Sequence, residues 1–342
     1  MRFILKQRSF FLLTACFLVA ASLYLLLSGM TSPDPPSYRP FISEEQAVER
    51  SADIIRPETK SEAHIFLHPK NPKPGDFVVI EAGPLGSGFA PEINLDFAGE
   101  ISNIYRTGNL LYAVVAICYE TSPGRYTITI NNALNKGNGL NKLEATFAIT
   151  DKEFQEARFS MPAGITEGWD PQRLAREREM IREAMLETEP YPLWMQRFIE
   201  PLEEGKTTSA YGAIRIIDGN PPRRHGGIDL TAEKGTPIYS PNRGIVRLAD
   251  SLMAGGKAVI IDHGLDLSSS YMHLDSIAVE EDDIIERGQL LGTLGETGYA
   301  TGPHLHWEVN VGLTPVNPKQ ILDNDLLWIP PDYVEKKLTD GY

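Results

Sequence analysis

From residue 62 onward the chain is a succession of short β-branched and aromatic runs cut by glycine and proline turns, a rhythm that fits antiparallel sheet and little else. Residues 77–80, 93–97, 110–119, 126–130 and 144–149 have strand composition. Lys73-Pro74-Gly75-Asp76, Ser122-Pro123-Gly124 and the glycine-bearing 135–139 separate them. Short strands at this spacing predict a small β-sandwich over residues 62–150. A second β-rich stretch follows over 191–325, with strands expected at 236–239, 244–246, 258–261, 270–273 and 306–309. The intervening 151–190 is polar and reads as a connector carrying one helix. Asp170 supplies an N-cap, Pro171 a first-turn proline, and Glu189-Pro190 stops the helix near Thr188. Its apolar positions, Leu174, Ile181 and Met185, are few, so it packs on one side only. The fold class is mainly β, with no internal repeat.

Arg2, Lys6 and Arg8 precede an apolar run over residues 10–27, interrupted only by Thr14 and Ser22. Such a run, if helical, spans about 27 Å, close to the hydrocarbon core of a bilayer. The basic flank keeps the N-terminus in the cytoplasm and sends the rest outside. Ser28-Gly29-Met30 makes a poor cleavage site, so residues 1–30 are read as an uncleaved transmembrane signal anchor; secretion after cleavage is the alternative. Leu13-Thr14-Ala15-Cys16 resembles a lipoprotein box, but cleavage there would leave a mostly apolar new N-terminus. Residues 31–61, with Ser32-Pro33-Asp34-Pro35-Pro36, read as a linker, and 326–342 as a C-terminal tail. The expected location is the cell envelope, with the bulk of the chain outside the cytoplasm.

Acids outnumber bases 46 to 32, for a formal net charge of -14. A nucleic-acid binder needs a basic stripe to replace counterions, so that class is excluded. Cys16 lies in the N-terminal run, which leaves Cys118 alone in the rest of the chain and rules out an internal disulfide there. Cys118 follows an apolar strand and is expected to be a small core residue. His64 and His68 are expected to be surface or satisfied residues.

Five of the seven histidines fall within residues 225–306. His225-Gly226-Gly227-Ile228-Asp229 offers an imidazole and a carboxylate, with two glycines expected to bend the backbone so that they converge. His304-Leu305-His306 offers two imidazoles at i and i+2, about 6.7 Å apart on one side of a strand. One can bind a metal while the other handles a proton. Zinc suits imidazole and carboxylate donors, and a catalytic site uses three protein ligands with one open position. His273, after Tyr271 on an expected strand, could relay a proton or stabilise an oxyanion. His263 is read as structural. Gly292, Gly295, Gly298 and Gly302 fail the dinucleotide-binding spacing and read as turns.

These residues resemble peptidase family M23, the lysostaphin and LytM-type endopeptidases. The likeness runs over about 211–318, and its segments recur in order. They are Arg224-His225-Gly226-Gly227-Ile228-Asp229-Leu230, Lys234-Gly235-Thr236-Pro237-Ile238, Asp262-His263-Gly264, Tyr271-Met272-His273-Leu274 and Arg287-Gly288-Gln289. Gly298-Tyr299-Ala300-Thr301-Gly302-Pro303-His304-Leu305-His306-Trp307-Glu308 closes the series. The resemblance implies one zinc ion per chain held by His225, Asp229 and His306, with His273 and His304 as catalytic histidines. It implies a compact antiparallel β peptidase domain with a groove over the metal, and peptide stems or cross-links of peptidoglycan as substrate. The upstream sandwich and helix look like the accessory region of some exported members. The partners implied are peptidoglycan, the membrane through the N-terminal helix, and cell-wall or division-complex proteins. Tyr211 stands where many members have phenylalanine, a conservative change in packing. Residues 216–222 are expected at the groove entrance.

Two other classes are weighed. A catalytically inactive LytM-type module that regulates hydrolases would usually lack a ligand, and here all are present. A carrier-like β module is suggested by the turn texture of 281–290 and predicts no zinc; the acids there read most simply as a solvated turn without the spaced oxygens of a calcium loop.

Overall fold

The computed structural model describes residues 62–133, 140–194 and 196–323. The expected anchor (1–30), linker (31–61) and tail (326–342) lie outside the described residues. Among the described residues no helix is long and apolar enough to cross a membrane.

The first strands are β1 (His64–His68), β2 (Phe77–Gly83), β3 (Pro91–Leu95), β4 (Gly99–Ile101), β5 (Tyr105–Thr107), β6 (Leu110–Ile117), β7 (Gly124–Asn132) and β8 (Lys142–Ile149). They form two antiparallel sheets, one ordered β1-β2-β6-β4 with β5 also on β6, the other β3-β7-β8. Alternate residues of β2 and β6 (Val78, Ile80, Leu111, Ala113, Val115) meet Ile128, Ile130, Leu143 and Phe147 of the second sheet in a shared core. The opposite face of the same sheet carries Phe77, Tyr112, Val114 and Ala116, which join the core of the C-terminal domain. Burial on both faces explains why β6 reads as a continuous apolar run instead of an alternating one. Polar clamps fasten the contact: Phe77 N–H donates to Gln320 Oε1 and Gln320 Nε2 donates to Phe77 O, both at 2.8 Å.

Next come β9 (Glu156–Phe159) and α1 (Pro171–Leu186). The Asp170 carboxylate accepts the Gln172 N–H at 2.8 Å, satisfying one free donor of the first turn. The helix buries Ala184 and Met185, with Ile181 alongside, against Leu248, Leu252, Ala258 and Ile260. Its polar remainder faces outward, as the sparse apolar stripe requires.

The remaining strands are β10 (Lys206–Ser209), β11 (Ile214–Ile217), β12 (Arg223–Arg224), β13 (Gly227–Thr231), β14 (Pro237–Tyr239), β15 (Gly244–Leu252) and β16 (Gly256–Asp262). They continue with β17 (Leu267–Ile277), β18 (Ile284–Ile285), β19 (Leu290–Leu294), β20 (Leu305–Val311) and β21 (Thr314–Val316). Ten of them make one sheet whose main path is β10-β13-β20-β17-β16-β15-β18. At its centre the register sets Ile228, Trp307 and Tyr271 side by side, and Asp229, His306 and Met272 in the next row. Successive strand residues face opposite ways. Ile228, Trp307 and Tyr271 enter the core, so Asp229, His306 and Met272 lie on the other face, the one α1 partly covers. Strand β9 of the connector pairs in parallel with β11, which pairs antiparallel with β12. The connector thus contributes a strand as well as a helix.

Candidate metal centre

Asp229 and His306 are direct cross-strand partners on β13 and β20. His225 sits just before β13, and its backbone N–H donates to Ala213 O at 2.9 Å. The ligand atoms of His225, Asp229 and His306 lie within 4.8 Å of one another. His304 precedes β20, its backbone N–H tied to Gly295 O at 3.0 Å. Its Nε2 lies 4.0 Å from Asp229 Oδ1. The His273 and His304 rings are 4.7 Å apart by centroid, and His273 and His306 are 6.3 Å apart. All five histidine and aspartate candidates therefore share one side of the sheet.

A β-bulge puts His273 there. Between Tyr271 and Leu274, β17 has one residue more than the facing stretch of β16 from Val259 to Lys257. In an unbroken strand His273 would share the core face of Tyr271. The extra residue, with His273 at φ 66°, turns the imidazole to the other face. Left-handed backbone at a non-glycine residue costs on the order of 1–3 kcal/mol and persists only where the surroundings over-determine it. Here the His273 N–H is held by Gly255 O at 2.8 Å.

Backbone carbonyls fix the tautomers of His225, His273 and His304, since a carbonyl only accepts. His225 Nδ1–H donates to Ala210 O at 3.0 Å, leaving Nε2 with a lone pair 3.1 Å from Asp229 Oδ1. His306 Nε2 lies 3.3 Å from Glu308 Oε2, and its Nδ1 lies 3.0 Å from Asp229 Oδ1 and 3.0 Å from His225 Nε2. Both carboxylates accept, so without a metal each nitrogen of the His306 ring donates a proton, and a metal ion at Asp229 would take the place of the one on Nδ1. Two imidazole nitrogens and a carboxylate oxygen thus face one point, each backed by an outer partner, the arrangement metal-binding histidines adopt. His273 and His304 hold their Nδ1–H on Thr297 O and Gly302 O, both at 2.8 Å, which leaves each Nε2 free.

Electrostatics agrees with that crowding. Burial alone would raise the Asp229 carboxyl, but the facing His225 and His306 rings outweigh it and hold it far below the ordinary range. Burial opposes charge on His306, yet the bonds to Asp229 and Glu308 raise it to about 9. His225 is lowered by burial against the pull of Asp229. His273 is pushed down to about 4, first by burial and then by the neighbouring His304. The donor chemistry, two imidazoles and a carboxylate with one side left open, fits zinc.

Arg215 is the residue that the motifs missed. Its guanidinium donates to Asp229 Oδ2 and, at 2.6 Å, to Ser209 Oγ, so Oδ1 is the oxygen left for the cluster. Its strand, β11, is held by β9, and no local spacing announces that pairing. Glu308 accepts from both His306 Nε2 and Asn310 Nδ2, a role its place in the sequence motif does not reveal. The expected bend at Gly226 and Gly227 is corrected. Neither has a left-handed φ; a side chain at Gly226 would strike Glu308 Oε2 at 2.7 Å and at Gly227 the Trp307 carbonyl oxygen at 2.3 Å. The glycines supply room for the neighbouring strand.

His263 is fully buried and satisfied, donating Nδ1–H to Arg243 O at 2.9 Å with Nε2 2.8 Å from Ser269 Oγ. Tyr211 is buried, its hydroxyl donating to Pro315 O at 2.7 Å. Cys118 lies just past β6 and is only half-buried, less enclosed than a core position.

The profile of Peptidase family M23 matches residues 223–318. The chain is 40% identical over 93 residues to the peptidoglycan DD-endopeptidase ShyA of Vibrio cholerae, covering 27% of this chain and 22% of that one. It is 33% identical over 123 residues to the DD-carboxypeptidase/endopeptidase Mpg of Neisseria meningitidis, covering 36% and 28%. The chain thus spans about a quarter of the length of these curated relatives. A crystal structure of a Pseudomonas aeruginosa protein assigned to peptidase M23 aligns with a TM-score of 0.55 at 27% identity, covering 74% of this chain and 95% of that one. That likeness extends well beyond the matched segment, into the upstream sheets. Residues 223–318 of this chain are a domain of peptidase family M23.

Proposed function

We propose that the protein is a zinc-dependent endopeptidase that hydrolyses peptide bonds in the stems or cross-links of peptidoglycan. The observation that carries this reading is the convergence of three outwardly anchored donors, His225 Nε2, Asp229 Oδ1 and His306 Nδ1, beside two further imidazoles with free Nε2 atoms. Zinc held by the three donors supplies Lewis-acid chemistry for amide hydrolysis. Arg215 keeps Asp229 turned with Oδ1 toward the imidazoles, and Glu308 holds the His306 ring.

His273 and His304 do the proton work. With Nδ1–H tied to a carbonyl, each ring turns its Nε2 to the site, where it can take a proton from the attacking water. The resulting imidazolium is the donor for the leaving amine, so the proton gained in attack is returned in cleavage. The two rings, 4.7 Å apart, share these roles. The peptidoglycan substrate is supported by the DD-endopeptidase relatives. Action outside the cytoplasm, on a membrane anchor, is supported by the basic-flanked apolar run at 10–27.

The test is digestion of purified peptidoglycan by the full chain, with and without a chelator, read by mass spectrometry of the released fragments. Chelator-sensitive release of peptide-cleaved fragments is expected. Intact peptidoglycan with zinc-loaded protein would overturn the reading in favour of a non-hydrolytic module.

A further inference from the structure

Beside the cluster lies a cavity of about 450 Å³ whose walls include Trp169, Arg178, Arg215, Asn220, Arg223 and Tyr299. Two wall residues touch the candidate metal centre directly. Arg215 is bonded to Asp229, and Gly255 accepts the His273 N–H at 2.8 Å. The cavity and the cluster therefore share a wall.

Three arginines in one cavity run against a chain with 46 acids and 32 bases. The acid in the wall, Glu177, is already engaged, by Arg173 Nε at 2.7 Å and Met253 N–H at 2.8 Å. Arg215 is committed to Asp229. That leaves Arg178, on α1, and Arg223, on β12, as cations without an ion pair among the described residues. In the same wall Trp169 and Tyr299, both half-buried, meet edge to face at 5.5 Å and give the cavity an aromatic side. Planar guanidinium forks bind carboxylates and phosphates through paired, charge-assisted hydrogen bonds, and of these a peptide carries carboxylates.

We propose that this cavity binds a carboxylate of the peptide being cut, and so sets the scissile bond over the Asp229 cluster. The inference rests on the peptidase reading above. The connector then has a role in recognition, because Trp169 and Arg178 belong to it while Arg223 and Tyr299 belong to the peptidase domain.

The test is calorimetric binding of three probes to the zinc-loaded full chain: the tetrapeptide stem of peptidoglycan, the same peptide amidated at its C-terminus, and the same peptide amidated at its side-chain carboxylates. Wild type is expected to bind the free acid about tenfold more tightly than one amidated form, the change produced by loss of one good charge-assisted bond. The arm that loses affinity says whether the terminal or a side-chain carboxylate is held. The exposed pair Arg178→Gln and Arg223→Gln, combined in one variant, is expected to bring that ratio close to one without changing the melting temperature. Equal binding of all three probes by wild type overturns the proposal, as does a ratio that survives in the double variant. A flat ratio in a protein that still cleaves peptidoglycan sinks the cavity alone. A preserved ratio in a protein that does not cleave sinks the peptidase reading and leaves the carboxylate site standing.

Discussion

Two groups of largely enclosed histidine, on or just beside the strands of one sheet, have opposite endings to their hydrogen bonds. At His263 both ring nitrogens are used, one on Arg243 O and one beside Ser269 Oγ, and burial pushes the ring down to about 4. At His225 and His306 one nitrogen is anchored outward and the other faces Asp229, where a metal ion could replace a proton. Burial is common to both places, so burial does not distinguish a site from a core. What distinguishes them is surplus donor capacity pointing at one spot. A histidine with both nitrogens used stiffens the fold; a convergent set around one carboxylate draws a cation to that point, a proton or a metal ion.

The sharpest way to break this contrast is to remove one convergent donor. His306→Ala is expected to drop zinc content well below one per chain and cleavage to background, as measured by metal analysis and fragment release. Stoichiometric zinc in that variant would mean that the cluster is not the metal site. Next in size is His304→Ala, which takes away a free Nε2 but no convergent donor. Zinc content should stay while turnover falls about 10²- to 10⁴-fold, the range for loss of a positioned acid or base. Normal turnover in His304→Ala would remove it from the proton path.

His263 offers the reverse test, on stability instead of metal. Its folded pKa of about 4 lies below the 6.5 of an unperturbed ring. The unfolded chain therefore takes up a proton first as pH falls. The stabilising contribution is fully present above pH 6.5 and is lost as pH falls toward 4. Complete loss corresponds to about 3 kcal/mol. Urea unfolding at pH 7 and pH 5 should show wild type losing about 2 kcal/mol to this residue over that interval. His263→Gln, which keeps hydrogen-bonding capacity but cannot titrate, should lose less by that amount. Parallel pH slopes for the two proteins would show that His263 carries none of the acid sensitivity.

The same contrast explains what could be read from the sequence. β6, β16 and β20 were legible because burial on one or both faces stamps an apolar composition on the chain. The cap of α1 was legible because Asp170 and Pro171 act within one turn. That His225, Asp229 and His306 would converge was legible because those residue types stand in a recurring motif and because Asp229 and His306 are cross-strand partners with His225 just before β13. β9 and β11 were not, since exposed or half-buried strands of four residues are held by a distant partner and not by their own composition. The bulge at His273 also escaped. Its signal is one extra residue on β17, visible only against the facing strand. Gly226 and Gly227 were noticed but misread, because glycine marks a bend and a close approach with the same letter.

Arg215 joins the readable part of the centre to the unreadable part, and it gives the smallest and most informative effect. It touches no convergent donor atom; it holds the far oxygen of Asp229 and the hydroxyl of Ser209. Arg215→Lys keeps the charge but loses the planar fork that can reach both acceptors at once. Asp229 would then be free to turn. Outer-shell partners of metal ligands are worth about 10- to 100-fold in metal affinity. The lysine variant, with charge retained, should sit near the lower end. Competition with a chromophoric chelator measures this directly, independently of cleavage. An Arg215→Met variant should lose more, because the Asp229 carboxylate then also loses a neighbouring cation. Affinity that is equal in wild type, lysine and methionine variants would show that Arg215 only pairs two strands. A graded loss would show that a strand borrowed from the connector tunes the metal centre of the domain it packs against.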